Sequence, residues 1–277
     1  LILWRNPKPE SQDLVDAWKD SLGDLGKIHF LSLLDGLGGV PGVLIHDVLT
    51  SDSAQPQRHA LRFLTEENAN PAVMSEVNRL AASPDERIRF QAAIALGNLE
   101  SHEAGRRLGQ IALTESSSQN LKAAVASSLR RHLETVVTEA AKAPNPSGLV
   151  DLLGSLFETA IGEGNPDVCI DLLQLGDDED DFRSTAFATF LNVLSRRGLS
   201  PDSWPSDELA RVVNSRWKLA EQARQRISDP ESPIADRILA MELLARESAH
   251  RTTDTNLLLS QISSAQSPKL ASAAIQR

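Results

Sequence analysis

Ser83 to Glu115, SPDERIRFQAAIALGNLESHEAGRRLGQIALTE, decides the fold, because it contains a complete helix, a break and a second helix whose pattern recurs elsewhere in the chain. Ser83 is a good helix N-cap, Pro84 is tolerated in a first helical turn, and Asp85 and Glu86 place negative charge at the positive end of a helix dipole. A helix is therefore predicted to start at Ser83. Ile88, Ala92, Ala95, Leu96 and Leu99 follow at the spacing of one helical face. Phe90, Ala93, Ile94 and Gly97 make a second apolar or small face, so this helix should be covered on two sides. Asn98 to Ser101 interrupts the pattern. A second helix then carries Ala104, Leu108, Ile111 and Ala112 on one stripe and Arg106, Arg107 and Gln110 on a solvated one.

The small-residue core Arg89-x-x-Ala92-Ala93-x-Ala95-Leu96-x-x-Leu99 returns about 31 residues later as Asn120-x-x-Ala123-Ala124-x-Ala126-x-x-Leu129. About 32 residues earlier it is foreshadowed by Arg58-His59-Ala60-Leu61-x-x-Leu64. It comes back as Arg237-x-x-Ala240-Met241-x-Leu243-Leu244 and as Leu270-x-x-Ala273-Ala274-Ile275. A period in this range is the signature of stacked repeats, in which each hairpin covers only part of its own apolar surface and its neighbours cover the rest. Large residues at Ala92, Ala93 or Ala123 should then force hairpins apart, at roughly 1–3 kcal/mol each.

These residues resemble the HEAT and armadillo-type repeats, most clearly over Lys27 to Leu133, and the resemblance implies an all-α fold, an α-solenoid of stacked antiparallel helix pairs. A narrower resemblance rests on Leu34-Asp35-Gly36-Leu37-Gly38, Gln57-Arg58-His59-Ala60-Leu61-Arg62 and Ile88-Arg89-Phe90-Gln91-Ala92-Ala93-Ile94-Ala95-Leu96-Gly97. It is to the helical-repeat segment of large exported bacterial multidomain proteins, the putative membrane-bound dehydrogenase family. In those a sugar-dehydrogenase-like β-propeller precedes the repeats and a c-type haem domain follows. That likeness implies an exported or periplasmic setting; without it the reading is cytoplasmic. The sequence departs from the full family pattern: it has no propeller-like strands and no C-x-x-C-H, so haem and redox chemistry are not expected in this segment.

Composition sets limits on the rest. The chain has 277 residues, 41% hydrophobic and 4% aromatic, with no Tyr, which suits a helical protein built from Ala and Leu. A net charge of −10 and a pI near 5.1 argue against a surface built to neutralise phosphates, so nucleic acid is not the expected partner. The single cysteine, Cys169, excludes an internal disulfide and sits on an apolar stripe with Val168, Leu172 and Leu173, where an inert buried thiol is expected. No apolar run reaches 18 residues, so no membrane span is expected, and Leu1-Ile2-Leu3-Trp4-Arg5 lacks the charged start and cleavage site of a signal peptide. A start without Met, and a final repeat at Ser267-Pro268 with a first helix only, lead us to expect a segment of something longer.

Along the chain, residues 1–26 read as a lead-in and first helix, with Leu14, Val15, Trp18 and Leu22 at helical spacing; 27–143 as regular repeats; and 144–277 as a looser continuation in one continuous domain. Lys27 to Leu37 should end at Gly38-Gly39, and Pro41 should start its partner. Gln55 to Glu66 and Pro71 to Ala82 make the next pair. Ser118 to Ala143 reads as two helices bent near His132, Ser147 to Ile161 as a helix, and Asn165-Pro166 as another start. Phe182 to Arg197 and Ser206 to Ile227 follow, separated by a loop over 199–206. No stretch alternates with period two over strand length, so no sheet is expected.

Chemistry-bearing patterns are few. Asp177-Asp178-Glu179-Asp180-Asp181 offers carboxylates for a divalent cation or a basic partner, but lacks the spacing of a calcium loop and reads as an acidic helix start. His29, His46, His59, His102, His132 and His250 are scattered, without the spacings zinc sites use. Gly36-Leu37-Gly38-Gly39-Val40-Pro41-Gly42 lacks the lysine and the spacing of a phosphate loop and reads as a turn. Arg89 and Arg237 occupy one place in the repeat and should pair with acids such as Asp85 or Asp236. Trp204 and Trp217 flank the loop and should pack on adjacent helices unless one is exposed as a partner anchor. No catalytic, cofactor-binding or metal-binding residues are assigned. The expectation is a non-catalytic scaffold meeting a protein partner or neighbouring domains of its own parent chain; the alternative is an enzyme or lyase on the same scaffold, as in HEAT-like DNA glycosylases or bilin lyases.

Overall fold

The computed structural model describes Trp18 and residues 23–114, 118–176, 181–200, 206–263 and 268–276. Among the described residues there are fourteen α-helices, two short 3-10 segments and no strand. The chain divides into two compact units, Leu1–Val136 and Val137–Arg277.

In the first unit α1 is Asp24–Gly36, α2 Gly42–Leu49, α3 Ala54–Leu61, α4 Pro71–Leu80, α5 Glu86–Gly97 and α6 His102–Leu113, and most of α7, Gln119–Ala140, belongs to it as well. Here α1 packs on α3 and α3 on α5, while α2 lies against α3 and α4, and α4 and α6 lie against α5. In the second unit α8 is Leu153–Glu163, α9 Pro166–Gln174, α10 Asp181–Arg196, α11 Asp207–Ser228, α12 Ile234–Met241, α13 Arg251–Ser263 and α14 Pro268–Ile275. The helices α8, α10, α12 and α14 form one row, and α9, α11 and α13 a second row. Each unit is thus built as an α-solenoid, in which a helix touches its successor and its next-but-one neighbour and little else.

Caps set the helix starts. Asn70 accepts from the amides of Ala72 and Val73 at 3.0 and 3.1 Å ahead of Pro71. Ser101, Asn165 and Ser206 cap α6, α9 and α11 in the same way, each contributing about 1 kcal/mol. Ser83 is not the cap of α5. Asp85 is, accepting from Arg87 N at 2.8 Å, while Ser83 Oγ accepts from Asp85 N in the turn before it. A charged acceptor two residues later outcompetes the hydroxyl, because it meets the first free amides directly and carries negative charge to the dipole. At the end of α1, Gly38 and Gly39 take φ of +125° and +127°, and Gly39 N donates back to Leu34 O, as the glycine pair predicted.

The expected face of α5 is buried through Ile88, Ala92, Ala95 and Leu96, with Leu99 just beyond. Its second face is covered only at Ala93 and Gly97; Phe90 is 36% exposed. Ala60, Ala92 and Ala124, at a constant interval of 32 residues, are all buried. The alignment at 31 residues therefore picks the wrong alanine: Ala123 faces solvent, since α7 turns Leu121, Ala124, Val125, Ser128 and Leu129 inward.

Further corrections follow. Residues 118–143 hold one continuous helix, α7, and the stretch from Ser147 begins as a 3-10 turn through Leu152 before α8. The expected helix over 11–22 lies outside the described residues apart from Trp18, which is buried, stacks near Phe30 and donates to Asp47 Oδ2 at 2.7 Å.

Arg89 does not form an ion pair with Asp85: it donates to the carbonyls of Ser83 and Pro84 at 2.7 and 3.0 Å and so closes the loop before its own helix. Arg237 is buried and donates to Gln261 Oε1 at 2.5 Å, not to Asp236. Arginines do join successive repeats, but at other positions and through backbone. Arg79 reaches Leu49 O, Arg107 reaches Asn78 O and Arg131 reaches Asn98 O, each at 2.9 Å. All three acceptors lie at or near helix C-termini, where carbonyls lack partners and the dipole favours a cation.

In the second unit the core centres on Phe157, Phe187 and Phe190, with Phe157 and Phe190 5.3 Å apart. Trp217 packs edge-on against Phe187 at 5.2 Å, as expected. Cys169 is fully buried and its thiol is pushed up to about 12 by burial, which leaves it inert. Asp254, fully buried, accepts from Arg224 Nε at 2.7 Å and Nη2 at 3.2 Å and from Ala245 N at 2.9 Å. The last bond holds Ala245 at φ +59°.

Candidate functional site

The stacking of α1, α3, α5 and α7 leaves a groove of about 550 Å3 on the first unit. Helix α3 contributes Gln55, Arg58 and His59, with Arg62 at its C-cap; α5 contributes Glu86, Arg87, Phe90 and Gln91; Ile28 of α1 and Asn120 of α7 sit at the two ends. The same helical positions face the groove in successive repeats: at the interval of 32 set by the buried alanines, Gln55 corresponds to Arg87, Arg58 to Phe90 and His59 to Gln91.

The electrostatics are uneven. Three guanidiniums and one carboxylate face the space, in a chain whose net charge is −10. Arg79, Arg89, Arg106, Arg107 and Arg131 each donate to a carboxylate or a carbonyl. Arg58, Arg62 and Arg87 have no side-chain acceptor among the described residues, and Arg58 Nε is moreover shut off from solvent. A buried donor left open in this way costs on the order of 1–3 kcal/mol.

His59 Nε2 lies 2.8 Å from Ser32 Oγ, and its ring meets Phe63 edge-on at 5.0 Å. The Ser32 hydroxyl also lies 3.0 Å from Ile28 O, so it sits between a carbonyl and the imidazole, and the histidine tautomer sets which of the two takes its proton. Burial and then the nearby Arg62 hold His59 below the usual imidazole value. The ring is therefore neutral near pH 7, and the positive charge of the groove comes from the arginines.

A smaller hollow of about 420 Å3 lies in the second unit beside Asp171, Gln174 and Pro144. Burial, helped by Asp167, pushes Asp171 above the usual carboxylate range, and no cationic side chain lines it.

The remaining sequence candidates are dispersed. His132 is buried in α7, His46 ends α2, His102 begins α6, and His250 lies 3.8 Å from Glu247; no cluster of three or more potential metal ligands occurs among the described residues. Most of the acidic run, 177–180, and Trp204 lie outside the described residues. Asp181 begins α10 and accepts from Arg226 at 3.3 Å. No described helix is long and apolar enough to cross a membrane.

The reading of charge as a whole-chain sum missed the groove. Arg58 and His59 stood out only as markers of the repeat, and Phe90 as part of a covered face. Arg58 and Arg62 at i and i+4, with Gln55 one turn earlier, were the available signal of a shared helix face.

The paired helices are joined by arginine-to-carbonyl contacts at intervals of about 30 residues. Residues 43–130 match the family of HEAT repeats. That segment, about a third of the chain, runs from α2 into α7 and carries every groove residue except Ile28. The matched segment therefore supplies nearly all of the lining of the site. Comparison with the curated proteins gives no match for this chain.

Proposed function

We propose that this chain is a non-catalytic module of HEAT-like repeats that presents an interaction surface to a protein partner or to neighbouring domains of its parent. The observation that carries this reading is the groove, which α3 and α5 line from equivalent positions and in which Arg58, Arg62 and Arg87 have no side-chain acceptor among the described residues.

The parent we propose is a multidomain exported protein with dehydrogenase-like and haem-containing domains; the resemblance of Leu34–Gly38, Gln57–Arg62 and Ile88–Gly97 supports this. Site-specific photocrosslinking tests the reading. A benzophenone amino acid replaces Phe90, Arg62 or, as a control in the second unit, Leu259, within the full-length parent in the cells that make it. Adducts from 90 and 62 to a protein or to another segment of the parent are expected. Adducts confined to 259, or none from any position, would refute the proposal.

A further inference from the structure

We infer that the groove over α3 and α5 takes an extended acidic peptide segment, with two carboxylate side chains on Arg58, Arg62 and Arg87 and an apolar side chain between them against Phe90. This rests on the interaction-surface reading and specifies the chemistry of the partner.

Three observations point to carboxylates. The three groove arginines lack acceptors, whereas Arg79, Arg89, Arg106, Arg107 and Arg131 all have them. Arg58 on α3 and Arg62 at its C-cap lie one turn apart and Arg87 faces them from α5, so three guanidiniums share one hollow. Gln55, Glu86, Arg87 and Asn120 lie in the first turns of α3, α5 and α7, where the backbone adds partial positive charge.

Spacing points to a chain rather than a single ion. Packed helix axes lie about 8–10 Å apart and long arginine side chains reach beyond them, so the guanidiniums of α3 and that of Arg87 on α5 suit carboxylates at positions i and i+4 of an extended strand, about 13 Å apart and on one face with position i+2 between them. Phe90, half-way along and 36% exposed, offers its ring to the side chain between them. Planar forked guanidiniums bind carboxylates with two parallel bonds, which sets their orientation as well as their charge.

A nucleic acid fits less well. Duplex DNA carries one charge per about 1.7 Å; three arginines beside Glu86, on a chain of net charge −10, neutralise too little of that and repel the rest.

The test uses fluorescein-labelled, end-blocked ten-residue peptides and fluorescence polarisation with the whole chain. The probe carries two glutamates four positions apart with a leucine midway between them, so that all three side chains share one face of an extended peptide. Its controls replace both glutamates by glutamine or by lysine, and an oligo(dT) of equal length stands as the polyanion. The acidic peptide should bind at least tenfold more tightly than either peptide control, and should weaken at 0.5 M salt. Arg58→Gln/Arg62→Gln/Arg87→Gln should lower its affinity at least tenfold, with an unchanged thermal unfolding midpoint, while Arg130→Gln, an exposed arginine away from the groove, should not.

Equal binding of the glutamate and glutamine peptides overturns the inference. So does a triple variant that folds and binds as before, or oligo(dT) binding more tightly through the same arginines. Protein adducts at position 90 together with failure of the acidic peptide would sink this inference alone; no protein adducts would sink the interaction surface as well.

Discussion

Gly97→Ala should loosen the packing of α5 against α7, and the size of the effect can be worked from the contact. A Cβ on Gly97 would lie 1.8 Å from Ser128 Oγ and 2.6 Å from Ser128 Cβ. The hydroxyl can rotate away, at the cost of its bond to Ala124 O at 3.1 Å. The Cβ cannot. Carbon atoms rest at about 3.5–4.0 Å, so the two helices must part by about 1 Å. Overpacking of this kind costs about 1–3 kcal/mol. Against it stands the gain of Ala over Gly, up to about 1 kcal/mol inside a helix but smaller at 97, the last residue of α5. The net expectation is a loss of about 1–2 kcal/mol, read by urea unfolding with circular dichroism at 222 nm. Ser128→Gly removes both clashing atoms, so a double-mutant cycle should show a favourable coupling of at least about 1 kcal/mol. Gly154→Ala in α8, where a Cβ meets nothing within 4 Å, should be neutral or stabilising by about 0.4–1 kcal/mol. A Gly97→Ala protein as stable as the wild type, or a coupling near zero, would refute the claim that the repeats depend on close backbone approach at this point.

Asp254→Ala should destabilise the second unit by about 1–3 kcal/mol, because it leaves Arg224 only Glu221 and Glu247 and frees Ala245 N; loss of under 1 kcal/mol by chemical denaturation would contradict this. His132, held below its ordinary value of 6.5 chiefly by burial, takes up a proton more readily in the unfolded chain. Its contribution is therefore present above about pH 6.5 and lost as pH falls toward the depressed folded value. The drop in thermal midpoint between pH 7.5 and 5 should be smaller in His132→Gln than in the wild type, and an identical drop would refute this. Ala124→Leu should cost about 1–3 kcal/mol, whereas Ala123→Leu, on an exposed position, should change stability by less than about 0.5 kcal/mol; the opposite order would restore the 31-residue alignment.

Much of the architecture was legible because helical periodicity and caps are local. The spacing of Ile88, Ala92, Ala95 and Leu96, the break before Ser101, the glycines after α1 and the Asn165-Pro166 start each act within one or two turns, and a reader of the chain meets them in order. Their recurrence was enough to announce stacked hairpins. Partner choice was not legible. Arg89 and Arg237 share a repeat position yet find different acceptors, since a long flexible side chain takes whatever oxygen its neighbours bring near. Ala123 and Ala124 differ by one residue, but 100° of helix rotation separates the solvent from the core. The groove depends on tertiary structure for the same reason. A net charge of −10 is a sum over the whole chain, whereas binding depends on where charges meet, and only the stacking of α3 on α5 places Arg58, Arg62 and Arg87 around one hollow that holds a single carboxylate, Glu86.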